Sequence, residues 1–332
     1  MGMSHLAILG GLLGVGEVAL CESSRLTRYL FSRIGVRTFA SLDEALGQAR
    51  PWRGAIVATP TATHFPIART LLRRSIPCFV EKPLTLNPAH SKELMSLQAS
   101  SGTTVQVGLV SRFIRSFAQL HWIIRSGLLG QARSYTASML GNVITKPDNK
   151  GWRTDFARGG GCVNEYGPHL LDLCRWVFGD VDAVESAAVG RVHSTRADDN
   201  VRIVLRHQVG IFGSIRLDWC DTSKRKSFID FEIECDAGTV RASNVDLSVD
   251  IRPGTVLTSE ARAALLAPVL PFPVNFYLRG EEYSLQLEIF LERILGRKLV
   301  KAEVDLDTAA SIRDGFEVDR MIRDIATLAG LA

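Results

Sequence analysis

No two of the six cysteines (Cys21, Cys78, Cys162, Cys174, Cys220 and Cys235) stand in a C-x-x-C pair. That absence removes a zinc site of ordinary spacing and a small disulfide scaffold, and makes a reducing cytoplasm the expected compartment. Runs of like charge are missing too: 39 basic and 35 acidic residues leave +4, scattered along the chain. A nucleic-acid binder gathers positive charge into a patch or stripe, so no nucleic-acid partner is expected. No apolar run reaches the roughly 20 residues a membrane helix needs, so no membrane partner is expected either. The apolar stretch 6–16 has no Lys or Arg before it and is interrupted by Glu17, which speaks against a secretion signal. Leu20 is too bulky for the residue before a lipidated Cys21. Internal repeats and low-complexity tracts are absent as well. There remain 332 residues, 46% hydrophobic and 22% charged, the composition of a globular chain of about two domains.

Up to about residue 110, short β-rich apolar runs alternate with segments of helical period. This pattern predicts a parallel sheet with crossover helices. Strands are expected at 5–9, 18–21, 55–58, 78–80 and 105–107, and helices at 24–34, 41–48, 64–74 and 88–100. Ser41 with Glu44 forms a capping-box pattern. After an amphipathic helix at 113–126, closed by Gly127, the texture changes to longer alternating strands at 133–140, 200–206, 211–219 and 228–235. These predict a large open, mainly antiparallel sheet with one solvated face, which is also where self-association into a dimer or tetramer is expected. Helices at 281–295 and 307–329 close the chain. The fold class is therefore α/β plus α+β, divided into 1–110 and 111–332, with the final helix packing back on the first domain.

Two motifs carry chemistry. Glu81-Lys82-Pro83 directly follows an apolar strand, and ligands of open α/β sheets bind at the carboxyl ends of strands, so Lys82 is delivered to a crevice. The second motif runs Gly159-Gly160-Gly161-Cys162-Val163-Asn164-Glu165-Tyr166-Gly167-Pro168-His169-Leu170-Leu171-Asp172. Its glycines permit unusual dihedrals and close backbone approach before a helix, while Glu165, His169 and Asp172 are spaced four and three apart and share a helix face. A histidine flanked by carboxylates suits a general base near neutral pH, the group needed to take a proton from an alcohol. Pro168 predicts a kink or a late helix start there.

Together with Ala58-Thr59-Pro60-Thr61-Ala62-Thr63-His64, these motifs in this order resemble the glucose-fructose oxidoreductase and inositol dehydrogenase (Gfo/Idh/MocA) family over nearly the whole chain. The resemblance implies an N-terminal Rossmann domain and hydride exchange between NAD(P) and a sugar, cyclitol or nucleotide sugar. By that resemblance Lys82 polarises the reacting oxygen, His169 is the acid and base, and Glu165 replaces the family's usual Asp with a carboxylate one methylene longer. Asp172 would orient the histidine or touch a substrate hydroxyl. Thr59, Pro60 and His64 would line the cofactor, and Glu81 would stand beside the nicotinamide ribose. Glu22, at the end of the second strand, would accept the adenosine ribose hydroxyls and favour NAD, while Ser23 and Arg25 keep NADP as the alternative. Arg112, Trp152 and Arg153 are the expected substrate contacts, with Lys146, Lys150 and Arg279 in nearby loops. No metal is required.

One stretch departs from the pattern. Gly10-Gly11-Leu12-Leu13-Gly14-Val15-Gly16 does not fit the G-x-G-x-x-G fingerprint in any register. Residues 10–17 alone separate the first two expected strands, too few for a parallel crossover, so the first crossover helix is expected to be missing. Three explanations compete: a deleted helix, with Gly10 and Gly11 supplying a smaller anion nest; a misplaced second strand; or a segment absent from the sequence. The cues from Glu22 onward favour deletion. A deleted helix carries an alternative function with it, that of a non-catalytic relative with a degraded cofactor site, binding a sugar-like ligand or a partner.

Overall fold

The computed structural model describes residues 1–146 and 151–331. They form two compact units: 1–85, 89–110 and 272–313 in the first, and 86–88, 111–271 and 314–332 in the second.

The first unit begins with α1 (Gly2–Leu13), where the sequence pattern predicts a strand at 5–9. Its inward residues are His5 and Ile8, with Leu12 packed against the core behind them, a helical spacing of three and four. A short apolar run bounded by glycines looks the same for a buried strand and a buried helix, and this is the source of the difference. A helix rather than a strand therefore precedes the strand at Ala19, and among the described residues no strand comes before α1 for it to cross over from. Then come β1 (Ala19–Cys21), α2 (Arg25–Arg33), β2 (Arg37–Phe39), α3 (Leu42–Leu46), β3 (Ala55–Val57), α4 (His64–Arg73), β4 (Cys78–Glu81), α5 (Pro88–Ser101) and β5 (Val105–Gly108). Ser41 caps α3 through Glu44 N–H at 3.2 Å, and the Glu44 carboxylate accepts Ala40 N–H at 2.7 Å, as a capping box requires. All strand pairs here are parallel, in two pieces: β1 beside β2, and β3, β4, β5 in that order. Every residue of β4 and β5 is buried, as expected for a sheet covered on both faces, whereas β1 and β3 are only partly so.

The second unit holds α6 (Arg115–Ser126), β6 (Ala132–Leu140), α7 (Cys162–Glu165), α8 (Gly167–Phe178), β7 (Val181–Gly190), β8 (Asn200–His207), β9 (Phe212–Asp218), β10 (Phe228–Cys235), β11 (Gly238–Ser243), β12 (Leu247–Ile251) and α9 (Ser259–Leu265). The seven strands lie in the order β12-β11-β10-β6-β9-β8-β7, antiparallel except for β6 beside β9. One face buries Tyr135, Ala137, Ile203, Ile215, Phe231 and Ile233. The other carries charge, including Arg241 paired with Glu232 at 3.1 Å and Asp250 at 2.5 Å.

The chain then returns to the first unit through α10 (Glu281–Leu295). There Leu287 and Phe290 pack with Ile8 of α1 and Phe79 of β4. The last helix, α11 (Ile312–Leu328), lies from Asp314 onward in the second unit. Within the first unit the late helix that joins the core is α10.

Candidate active site

In the first unit, residues expected to meet a cofactor follow the parallel strands, Glu22 in the two-stranded piece and Thr59, Pro60 and Lys82 in the three-stranded one. Glu22 follows β1, and its carboxylate accepts Ser24 N–H at 2.8 Å and the Ser23 hydroxyl at 3.2 Å. Thr59 and Pro60 follow β3 and are exposed. Lys82 follows β4 and is half-buried, and the Lys82–Pro83 peptide is cis.

Two buried histidines belong to the same unit. His5, which no sequence motif marks, reaches from α1 to the Glu81 carboxylate at 2.5 Å, and the other Glu81 oxygen accepts Lys82 N–H at 3.2 Å. Glu81 is 7% exposed, so it supports Lys82 from below, in place of the expected ribose contact. Burial alone would raise its pKa, but His5 and Lys82 outweigh burial and hold it below the ordinary value. A depressed carboxylate stabilises the fold above its unfolded pKa of 4.5, and that contribution disappears as pH falls through the folded value. His5→Leu removes the donor, so we expect about 1–3 kcal/mol less stability near pH 7 and acid unfolding that starts at higher pH. Circular-dichroism melts from pH 3 to 7 check this; superimposable curves would refute the role given to His5.

His64 is also buried, at 1% exposure, with Nδ1 3.0 Å from Pro83 O and Nε2 2.9 Å from Thr59 O. It ties the turn after β3 to the turn after β4 and does not line a crevice. Burial lowers its pKa.

Gly10 and Gly11 lie inside α1 and make no anion nest. At Gly11 a Cβ would stand 2.3 Å from the Phe276 ring, so this glycine serves packing. The start of α1 lies beside the exit of β3, where a Cβ on Gly2 would stand 3.8 Å from Ala58. Glu22 and Lys82 have the acceptor and donor chemistry for the ribose and nicotinamide portions of a dinucleotide, while among the described residues no glycine-rich strand-to-helix turn stands ready for its pyrophosphate.

The second unit presents the triple glycine and the helices α7 and α8 after it. Gly159 has φ +87°, and a Cβ on Gly160 would stand 2.3 Å from Trp152 O. The glycines let the loop lie flat on residues 152–153 before α7 begins. Pro168 falls in the first turn of α8, and Tyr166 separates α7 from α8. Glu165 and His169 consequently belong to different helices despite their spacing of four.

His169 is half-buried, and its Nδ1 lies 3.2 Å from the hydroxyl of Ser111. Ser111 gives no signal in the sequence because it is 58 residues away and has no motif around it. Glu165 lies 3.4 Å from Arg153, whose guanidinium is 5.6 Å from the Trp152 ring centre; both Trp152 and Arg153 are exposed.

Arg112 and Asp172 depart furthest from expectation. Arg112 is 3% exposed and grips Asp172 with two nitrogens, at 2.8 and 2.5 Å, while reaching Asp314 at 3.1 Å. Arg175 pairs with Asp314 and, at 2.7 Å, with Asp180. Burial pushes the Asp172 carboxyl up against the pull of Arg112. Both residues are committed to this network, so neither is offered to a substrate. Lys150 lies outside the described residues.

Residues 18–109 match the family model for oxidoreductases with an NAD-binding Rossmann fold, and residues 117–241 match the GFO/IDH/MocA C-terminal domain. The chain belongs to the Gfo/Idh/MocA family. Among its relatives in this family, trans-1,2-dihydrobenzene-1,2-diol dehydrogenase of Mus musculus is 27% identical over 160 residues, which is 48% of this chain and 47% of that protein. The rhizopine catabolism protein MocA of Rhizobium meliloti is 26% identical over 179 residues, 54% of each chain. The matches thus span about half the length of these curated relatives. In fold the chain is similar to levoglucosan dehydrogenase in complex with NADH and levoglucosan, with TM-score 0.79 and 19% identity over 99% of this chain and 94% of that one. The WlbA dehydrogenase of Bordetella pertussis, in complex with NADH and UDP-GlcNAcA, gives TM-score 0.76 and 18% identity over 99% and 92%. Among the described residues of this family member, no helix is long and apolar enough to cross a membrane.

Proposed function

We propose that this chain is an NAD-dependent oxidoreductase that interconverts an alcohol and a ketone on a sugar-like substrate. The observation that carries the reading is that Glu22, Thr59 and Lys82 each follow a strand of parallel pairing within the segment that matches the NAD-binding family model. The similar structures with NADH and with levoglucosan or UDP-GlcNAcA support both the cofactor and the substrate class.

When bound at those strand ends, nicotinamide supplies the acceptor or donor of hydride. In oxidation, His169 takes the hydroxyl proton while the alcohol carbon gives up its hydride, leaving the ketone; in reduction His169 returns that proton. The Lys82 ammonium favours negative charge on the reacting oxygen. Ser111 holds the Nδ1 edge of His169 and so aims the opposite nitrogen. Glu165 and the exposed pair Trp152 and Arg153 meet the substrate.

Glu22 gives a test of cofactor binding and its preference. A carboxylate accepting ribose hydroxyls makes charge-assisted hydrogen bonds worth about 1.5–3 kcal/mol, so Glu22→Gln should weaken NADH binding by roughly tenfold or more and leave NADPH unweakened. Fluorescence titration of both nucleotides measures this. No saturable binding of either would overturn the oxidoreductase reading, and equal losses for both would overturn the role of Glu22.

A further inference from the structure

Asp198 precedes β8 and is fully buried. Its backbone carbonyl accepts Cys162 N–H at 2.9 Å and its Oδ2 accepts Val163 N–H at 2.6 Å, so both bonds land on the first turn of α7. The other oxygen, Oδ1, has no hydrogen-bond partner among the described residues. It fills the place a side chain at position 161 would take: a Cβ on Gly161, which has φ +92°, would stand 1.9 Å from it. From that turn a continuous run of backbone bonds leads to the proposed base. Glu165 N–H donates to Gly161 O at 3.1 Å, Tyr166 N–H to Cys162 O at 2.8 Å, and His169 N–H to Tyr166 O at 3.1 Å.

We propose that Asp198 is a positioning residue for the proton-transfer site, setting the start of α7 and through it the placement of Glu165 and His169. The inference rests on the role given to His169 above. A neutral amide of the same shape would accept more weakly from Val163 N–H and would turn an NH2 group toward Gly161, so the placement of α7 depends on the carboxylate. Burial pushes the Asp198 pKa up to about 7, with Asp199 adding to the rise and Val163 N–H and Arg191 opposing it. Burial, and after it Asp198, push up the pKa of the fully buried Cys162 thiol on α7. A group whose charge the fold resists, placed under catalytic residues, is the usual trade of stability for function.

Asp198→Asn and Gly161→Ala in the full chain test this, the second by pressing on the same carboxylate from the opposite side. Three measurements are made: kcat and KM against pH, melting temperature, and the C2–H titration of His169 by NMR, assigned with His169→Asn. In both variants we expect kcat to fall about tenfold with the KM for cofactor unchanged. We also expect the His169 midpoint to move by about half a pH unit or more. Asp198→Asn should melt at or above the wild-type temperature at pH 8, since it removes a buried charge. His169 titrations that overlay the wild type, or a loss of activity that merely follows a loss of melting temperature, would overturn the proposal. If Asp198→Asn does not fold, Gly161→Ala carries the test. If the wild-type chain turns over no substrate, the oxidoreductase reading fails and the NMR comparison still decides the role of Asp198.

Discussion

Arg112→Met is expected to lower the stability of the second unit by about 3–5 kcal/mol, more than any other substitution named above. The side chain is 3% exposed and meets two carboxylates, and Asp172 itself is fully buried. Removing the guanidinium leaves Asp172 to Arg175, which is already shared with Asp314 and Asp180. A lone ionised carboxylate in that surrounding is far more costly than the missing ion pair is favourable, because the penalty is one of desolvation. The double variant Arg112→Met/Asp172→Leu should therefore recover most of the loss. Urea unfolding of the three proteins measures the difference. If Arg112→Met alone unfolds like the wild type, the network is not what holds α8 against the segment after β5. A second consequence is separable: Ser111 is the neighbour of Arg112, so the single variant should also loosen the contact between Ser111 and His169.

The doubly wound half was legible where elements were long or their ends were signalled. The strands at 55–58, 78–80 and 105–107 and the helices starting at Ser24 and Ser41 come out within a residue or two, because alternation of buried strand and capped helix leaves little choice. The first helix was not legible. Residues 5–9 are apolar, glycines follow, and nothing in such a run separates helix from strand until its inward residues are seen to be His5, Ile8 and Leu12. The presence of α1 corrects the strand expected at 5–9, while among the described residues neither a strand nor a G-x-G-x-x-G turn precedes that helix. The strands that escaped notice, β2, β7, β11 and β12, are short or lie toward sheet edges. β7 is rich in small and polar residues and alternates poorly. At the site, Lys82 and His169 stood out because each belongs to a local motif. Their supports did not, since His5 is 76 residues from Glu81, Ser111 is 58 from His169 and Arg112 is 60 from Asp172. The misassignment of Asp172 follows from the same limit: helical spacing shows which residues share a face, and a partner from a remote segment decides which way a carboxylate is used.

His169→Asn is the substitution expected to affect turnover most. If His169 transfers the proton, the variant loses about 10²- to 10⁴-fold in kcat, the range for removing a general acid or base. Asparagine keeps the polarity and much of the size of the ring but cannot take up a proton, so cofactor affinity and melting temperature should stay at their wild-type values. The pH profile separates this from a general loss of fit. In the oxidation direction the base must be neutral, so the wild-type rate falls as pH drops, and the variant's residual rate should lack that limb. Ser111→Ala provides the graded control. It leaves the imidazole in place but removes the hydroxyl 3.2 Å from Nδ1, so a smaller loss of a few-fold is expected, with the acid limb kept and displaced along the pH axis. Steady-state kinetics of oxidation from pH 5 to 9, with NADH affinity measured alongside, decides between the outcomes. A His169→Asn protein that keeps its kcat and its acid limb would assign the proton to another group, and Lys82, half-buried at the end of β4, would be the next to test.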